Sequence, residues 1–296
     1  MGVVQLLDAL PGGITRSPSR FWSVFARSLG EQGGAGRTAL AWRWALTGDC
    51  PSPVTLTAAV GRPPDRAEIL AEAHAVAELA RPDADPGSQV MQARFVLEWI
   101  TGSVDALPLW STAAATEPAV SAPFARDRAG IEAAHWWALL ARYRYSRGDG
   151  PASVGGRQAF SWALGALDLL GWACGETTAG PFTGLRAGGR PSLYQVSLDA
   201  CQGMTEVRLA RQAGDQARAM RCEAAVEAFL WLAGWEAQPP ADRHGHARFE
   251  DCPERTAECA CDAAGQCLAG ACDACRRVPC VHGFGADKLS SPLAGG

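Results

Sequence analysis

Seven cysteines and a histidine crowd one short segment late in the chain: Cys252, Cys259, Cys261, Cys267, Cys272, Cys275, Cys280 and His282. Their order is Cys-x6-Cys-x-Cys-x5-Cys-x4-Cys-x2-Cys-x4-Cys-x-His. Thiolate and imidazole both suit zinc, and eight such ligands are enough for two tetrahedral sites. Gly265, Gly270 and Gly283 let the backbone wrap an ion. The segment has few large apolar side chains, so burial alone cannot fold it. Metal binding would supply the folding free energy, about 10 kcal/mol per structural site. The Cys272-x2-Cys275 pair carries the most specific signal, and the spacing leaves open which ligands share an ion. Closed four-ligand shells have no position for water, so the expected zinc is structural.

Within this group, Cys259-Ala-Cys261 is followed after eighteen residues by Cys280-Val-His282. That arrangement resembles the SWIM-type zinc finger, whose pattern is CxC and later CxH; Val278-Pro279 fits the same end of the pattern. The resemblance covers about thirty residues and implies a small zinc module that contacts proteins or DNA. Cys252, Cys267, Cys272 and Cys275 lie outside the pattern and would build a second, interleaved site. An iron–sulfur reading competes, because four cysteines can hold a cluster. Cys272-x2-Cys275-x4-Cys280 with Cys252 upstream is similar to the WhiB-like iron–sulfur regulators, one residue short of their spacing and without their Gly-Trp-Gly turn. His244 and His246 stand just before Cys252 and could replace one ligand, although the plainer reading is a polar linker. Arg276 and Arg277 could touch phosphate. From residue 241 onward, however, eight acids face six bases, which favours a solvated surface and a protein partner over DNA.

The elements before this segment are helical. The 296 residues are 48% hydrophobic, enough for a sizeable core, and the net charge of -4 gives no general attraction to nucleic acid or anionic membrane. Lys288 is the single lysine, a bias that extends to Ala, Gly, Arg and Pro and reads as genome composition rather than phosphate recognition. Helices are predicted from Ser19 to Gly30 and over RTALAWRWALTG to Gly48. Another follows the capping-box pair Asp65 and Glu68, with Ile69, Ala73, Val76 and Ala80 on its apolar face, and breaks at Pro82 and Pro86. Ser88 opens the next, with Met91, Phe95 and Trp99 inward and Gly102 at its end. Longer helices are predicted over 127–146, 157–173, 192–212 and 215–236, the last two as a hairpin around Gly214. VTLTAAV at 54–60 alternates only partly as a strand would. No fixed-period repeat survives alignment of one helix pair on another. The expected fold is all-α, an irregular bundle over residues 1–238, with a Cys/His-rich zinc-binding tail over 239–296 after Pro239-Pro240.

The opening MGVVQLLDALPGG lacks a basic and an apolar region of signal type, and the longest apolar run, 159–175, contains Asp168 and is short for a bilayer. A cytoplasmic, non-membrane protein is therefore expected, and in a reducing compartment clustered cysteines favour metal over disulfides. Other motifs lead to no site. GEQGGAGRT at 30–38 has the wrong spacing for a phosphate loop and reads as a helix connection. Glu132-x-x-His135 lacks the second copy that a di-iron site needs, so His135 reads as a half-buried core histidine. His74 reads as surface, and Cys201 and Cys222 read as small core residues. The eleven tryptophans read as core, with Trp136 and Trp137 the candidates for ligand stacking. No catalytic residues are predicted. The leading expectation is an adaptor or regulator. The alternatives are an enzyme or small-molecule binder with a pocket near His135, Trp136 and Trp137, and a redox or metal sensor built on the cysteines.

Overall fold

Serine and aspartate hydroxyls and carboxylates start most of the helices, and glycines in the left-handed region stop several of them. The computed structural model describes residues 3–34, 36–79, 88–107, 121–146 and 156–240. A 3-10 turn at Val3–Leu6 precedes α1 (Pro18–Gln32), α2 (Gly36–Thr47), α3 (Arg66–Leu79), α4 (Gln89–Ile100), α5 (Arg128–Ser146), α6 (Gly156–Cys174), α7 (Leu193–Gln212) and α8 (Gln216–Leu232). The described residues contain no strand, only an isolated bridge between Ala179 and Arg186. Residues 53–55 form a turn where partial alternation suggested a strand. The all-α expectation holds for these residues. The Cys/His-rich tail and the breaks at Pro82 and Pro86 lie outside them.

Helix starts follow from local chemistry. α1 opens at Ser17 rather than Ser19, because Pro18 is pre-set for the first helical turn. It passes Gly30 and ends at Gly33, whose φ is +76°. The Asp65–Glu68 capping box forms: Asp65 N–H donates to Glu68 Oε2 at 2.8 Å and Glu68 N–H to Asp65 Oδ1 at 2.9 Å. On α4 the inward stripe is Ala93, Val96, Leu97 and Ile100 with Trp99, while Phe95 stays 40% exposed. That stripe is rotated about the helix axis from the predicted one, of which Trp99 is buried and Phe95 is not. Among the described residues nine tryptophans are buried, and Trp42 meets Phe21, Phe25 and Trp99 at centroid distances of 5.4, 5.7 and 6.0 Å.

The chain builds one helical frame twice. α2 and α3 pack on α4, and α6 and α7 pack on α8. Helix α2 begins Gly36-Arg37-x-Ala39-x-x-Trp42, and α6 begins Gly156-Arg157-x-Ala159-x-x-Trp162. The α3 capping box recurs on α7, where Ser192 N–H donates to Gln195 Oε1 at 3.0 Å and Gln195 N–H to Ser192 Oγ at 3.2 Å. The ends of α4 and α8 match atom for atom. Thr15 N–H donates to Ile100 O at 3.1 Å, and Ala125 N–H to Leu232 O at 2.8 Å. Arg16 Nε donates to Trp99 O at 2.6 Å, and Arg126 Nε to Trp231 O at 3.2 Å. The Nη2 of each arginine reaches the carbonyl five residues past the tryptophan, Val104 or Glu236. Each guanidinium lies over that tryptophan ring, 5.0 Å from Trp99 and 5.3 Å from Trp231.

The duplication has no fixed period, in keeping with the absence of a fixed-period repeat in the sequence. Arg16 and Arg126 are 110 residues apart, Pro64 and Pro191 127, and Trp99 and Trp231 132. Unequal connections erase any fixed period and leave short matching strings and matched contacts. The halves also differ: α1 packs along α7 of the other half, whereas α5 packs along α6 of its own. Trp235 beyond α8 closes on Phe25 of α1 at 5.0 Å, so the halves share a core.

Each arginine latch satisfies helix C-terminal carbonyls with a charged donor and adds ring stacking. Arg126→Ala is expected to cost about 2 kcal/mol in urea unfolding. Arg126→Lys should restore less than half of that, because an ammonium cannot make the planar, forked contact.

Candidate functional site

All eight predicted metal ligands, Cys252 through His282, lie outside the described residues, as do His244, His246, Arg276 and Arg277. Among the described residues, no group of three or more His, Cys, Asp or Glu side chains stands close enough to hold a metal ion.

The four remaining cysteines, Cys50, Cys174, Cys201 and Cys222, are unpaired and buried or half-buried. Burial pushes the Cys50 and Cys222 thiols up to about 11 and the Cys174 thiol to about 12. Cys201 also rises through burial, opposed by Ser23 and Arg27. Thiols held this high stay protonated at neutral pH and are poor nucleophiles and poor ligands. The reading of Cys201 and Cys222 as small core residues fits these surroundings.

His135 is half-buried, and burial lowers its pKa against the opposing charge of Glu176. Its Nε2 sits over α6, where a side chain at Gly171 would come within 3.3 Å. Glu132 pairs instead with Arg128 at 2.6 Å, so Glu132 and His135 do not converge on a site. Trp136 is buried and Trp137 half-buried, and neither lines the clefts described below.

The frame carries two buried carboxylates that sequence reasoning missed. Glu72 is 7% exposed and Asp199 fully buried. Each is the eighth residue after the proline that precedes its helix, Pro64 or Pro191. Each clamps a Pro-x-Thr turn. Glu72 Oε1 accepts from Val54 N–H at 2.7 Å and Thr55 N–H at 2.8 Å, and Oε2 accepts from Thr55 Oγ1 at 2.9 Å. Asp199 Oδ1 accepts from Phe182 N–H at 3.2 Å, Thr183 N–H at 2.8 Å and Thr183 Oγ1 at 2.7 Å. Burial raises the Asp199 pKa, opposed by the hydroxyl and N–H of Thr183 and by Phe182 N–H. The readable signal was the pair of matching strings, Pro-Val-Thr with Pro-x7-Glu and Pro-Phe-Thr with Pro-x7-Asp.

The residue after each threonine has positive φ: Leu56 at +59° and Gly184 at +67°. Glycine takes that conformation freely, whereas leucine pays about 1 kcal/mol. Leu56 is nonetheless 52% exposed, as Val60 is 60% exposed, so burial does not offset that cost.

Two concave places result. One, of about 350 Å³, lies between the 52–64 connection and α3, with Trp44, Thr55, Val60 and Glu72 in its walls. The other, of about 340 Å³, lies where α6, α7 and α8 meet the 181–182 turn, with Asp168, Phe182, Glu206, Arg218, Arg221 and Cys222 in its walls. Comparison with family models, curated proteins and solved structures finds no match to this chain.

Proposed function

We propose that the protein is a cytoplasmic adaptor or regulator whose C-terminal segment binds two structural zinc ions and presents a rigid contact surface, chiefly to a protein partner. The observation that carries this reading is the division of the cysteines. The four outside that segment are scattered, buried or half-buried, and burial raises the pKa of each. The other seven crowd with His282 into 31 residues at metal-ligand spacing, 252–282. The SWIM-like CxC and CxH pairs give one ligand set, and Cys252, Cys267, Cys272 and Cys275 a second. Zinc needs the thiolates deprotonated and folds the segment as it binds. The acidic balance of that region suits a protein surface better than DNA. No helix among the described residues is long and apolar enough to cross a membrane, in keeping with action away from the bilayer.

The test is crosslinking of partners to the full chain in native cells, with and without Cys272→Ser and Cys275→Ser. Partner crosslinks should fall at least about tenfold in the double variant while the helical far-UV signal is kept. Unchanged crosslinks would remove the adaptor role.

A further inference from the structure

Because the frame occurs twice, features its two copies share serve the fold, and features confined to one copy stand out from it. Aligned on the matched pair Trp99 and Trp231, Arg221 of α8 falls at Gln89 of α4, and Arg218 falls before α4 begins. Gln89 Oε1 accepts from the Arg37 N–H of α2 at 3.5 Å, an uncharged contact. In the second copy both arginines reach to other helices. Arg221 donates from Nε at 3.0 Å and Nη2 at 2.6 Å to Asp168 Oδ2 on α6, and Arg218 donates from Nη2 to Glu206 on α7. In the first copy the polar crossings from α4 to α2, at Gln89 and Gln92, are uncharged, so among the described residues the charged crossings are particular to the second copy.

The crossings converge on the 340 Å³ cleft, within the size range of small-ligand pockets. Three features shape it. Gly165 brings α6 against α8 so closely that a Cβ there would lie 1.8 Å from Arg221 O. The Phe182 wall is held from behind by the Asp199 clamp and rests on Gly203, where a Cβ would lie 2.6 Å from the ring. The floor is Cys222 and Ala225, apolar and protonated rather than charged. Within the ion pairs, the acids are the covered partners, Asp168 at 29% and Glu206 at 20% exposed, and the guanidiniums are the open ones, at 52% and 55%. Nη1 of Arg221, and Nε and Nη1 of Arg218, donate to nothing among the described residues.

We propose that this cleft binds a small molecule that joins a carboxylate or phosphate to an apolar body. The anion sits on the free edges of Arg218 and Arg221, which the acids behind them hold in place, so little side-chain entropy remains to be lost on binding. A guanidinium has five donors, so it keeps its protein carboxylate and takes a second anion. The apolar body lies against Phe182 and Pro181 over Ala225. Its size is that of a substituted ring, and the clamp on Asp199 keeps the wall pre-formed. This site is independent of the zinc segment.

The full chain, labelled with nitrogen-15, is titrated with benzoate, phenyl phosphate and inorganic phosphate while the amide signals of Gly165, Thr183 and Ala225 are followed. Saturable shifts at these residues are expected with benzoate or phenyl phosphate, whichever anion the arginine edges prefer, and binding at least about tenfold weaker for inorganic phosphate. Arg218→Gln with Arg221→Gln should weaken the aryl anion about tenfold or more. Should that variant lose its fold, Phe182→Leu replaces it: aryl binding should fall severalfold and inorganic phosphate should stay as it was. Absence of saturable shifts with both aryl anions, aryl binding indifferent to the arginines, or equal losses for all three probes in Phe182→Leu would overturn the proposal.

Discussion

Asp199→Ala is expected to destabilise the protein by about 3 kcal/mol, whereas Asp199→Asn changes it by less than about 1 kcal/mol. The carboxylate oxygen Oδ1 takes two backbone N–H groups and one hydroxyl from the 182–183 turn. Alanine leaves those donors without their acceptor beside a fully buried position, and the Phe182 wall comes loose. Asparagine keeps an oxygen where Oδ1 stands and removes a charge that burial disfavours. The pH dependence separates the two effects. Burial holds the folded pKa of Asp199 above its unfolded value, so the folded state binds the extra proton. Its contribution is therefore most favourable below the ordinary aspartate range and declines as pH rises through the raised folded value. The asparagine variant lacks this decline, so its stability relative to the wild type should improve across that window and level off above it. Urea unfolding between acid and neutral pH measures the difference. Glu72→Ala should show a comparable loss through the 54–55 turn, whose two N–H groups and Thr55 hydroxyl its two oxygens take.

Cys272→Ser with Cys275→Ser should remove one zinc ion per chain and unfold the segment that ion organises, a loss of about 10 kcal/mol of local folding free energy. Serine hydroxyls do not ionise at neutral pH and do not replace thiolates on zinc. The helices should keep their thermal transition, because their core closes on Trp42, Trp99, Phe229 and their neighbours without any of the eight proposed ligands. Limited proteolysis reads the difference: the variant should be cut between residues 252 and 282 at least about a hundredfold faster than the zinc-loaded protein, with 156–240 resistant in both.

Local signals carried most of the helical reading. Asp65 and Glu68, Ser88, Pro191 and Gly214 announce helix ends because capping depends on residues a few positions apart. Phe95 stays outside although Met91 and Trp99 at the same spacing reach the core, because steps of four residues drift around the helix and the stripe of Ala93, Val96, Leu97 and Ile100 lies to one side of them. Alanines on the inner face blur that contrast. The duplication is masked by connections of unequal length, and pairwise contacts such as Arg16 to Trp99 and Arg126 to Trp231 bring it out more plainly than the short matching strings do. Glu72 and Asp199 look like surface acids in sequence; their burial follows from turns that fold back onto them. The cleft was illegible for the same reason, since Asp168, Glu206 and Arg221 lie on three different helices. The cysteine segment is the reverse case, because ligand spacing is a local property and stands in the sequence itself.

Cys252, Cys259, Cys261, Cys267, Cys272, Cys275, Cys280 and His282 are the residues proposed to hold zinc. Elemental analysis of the full chain purified under reducing conditions, together with its visible spectrum, tests that proposal most directly. About two zinc ions per chain and a colourless protein are expected. A brown protein containing iron and inorganic sulfide, or a chain that carries no metal and has these cysteines joined in disulfides, would contradict it.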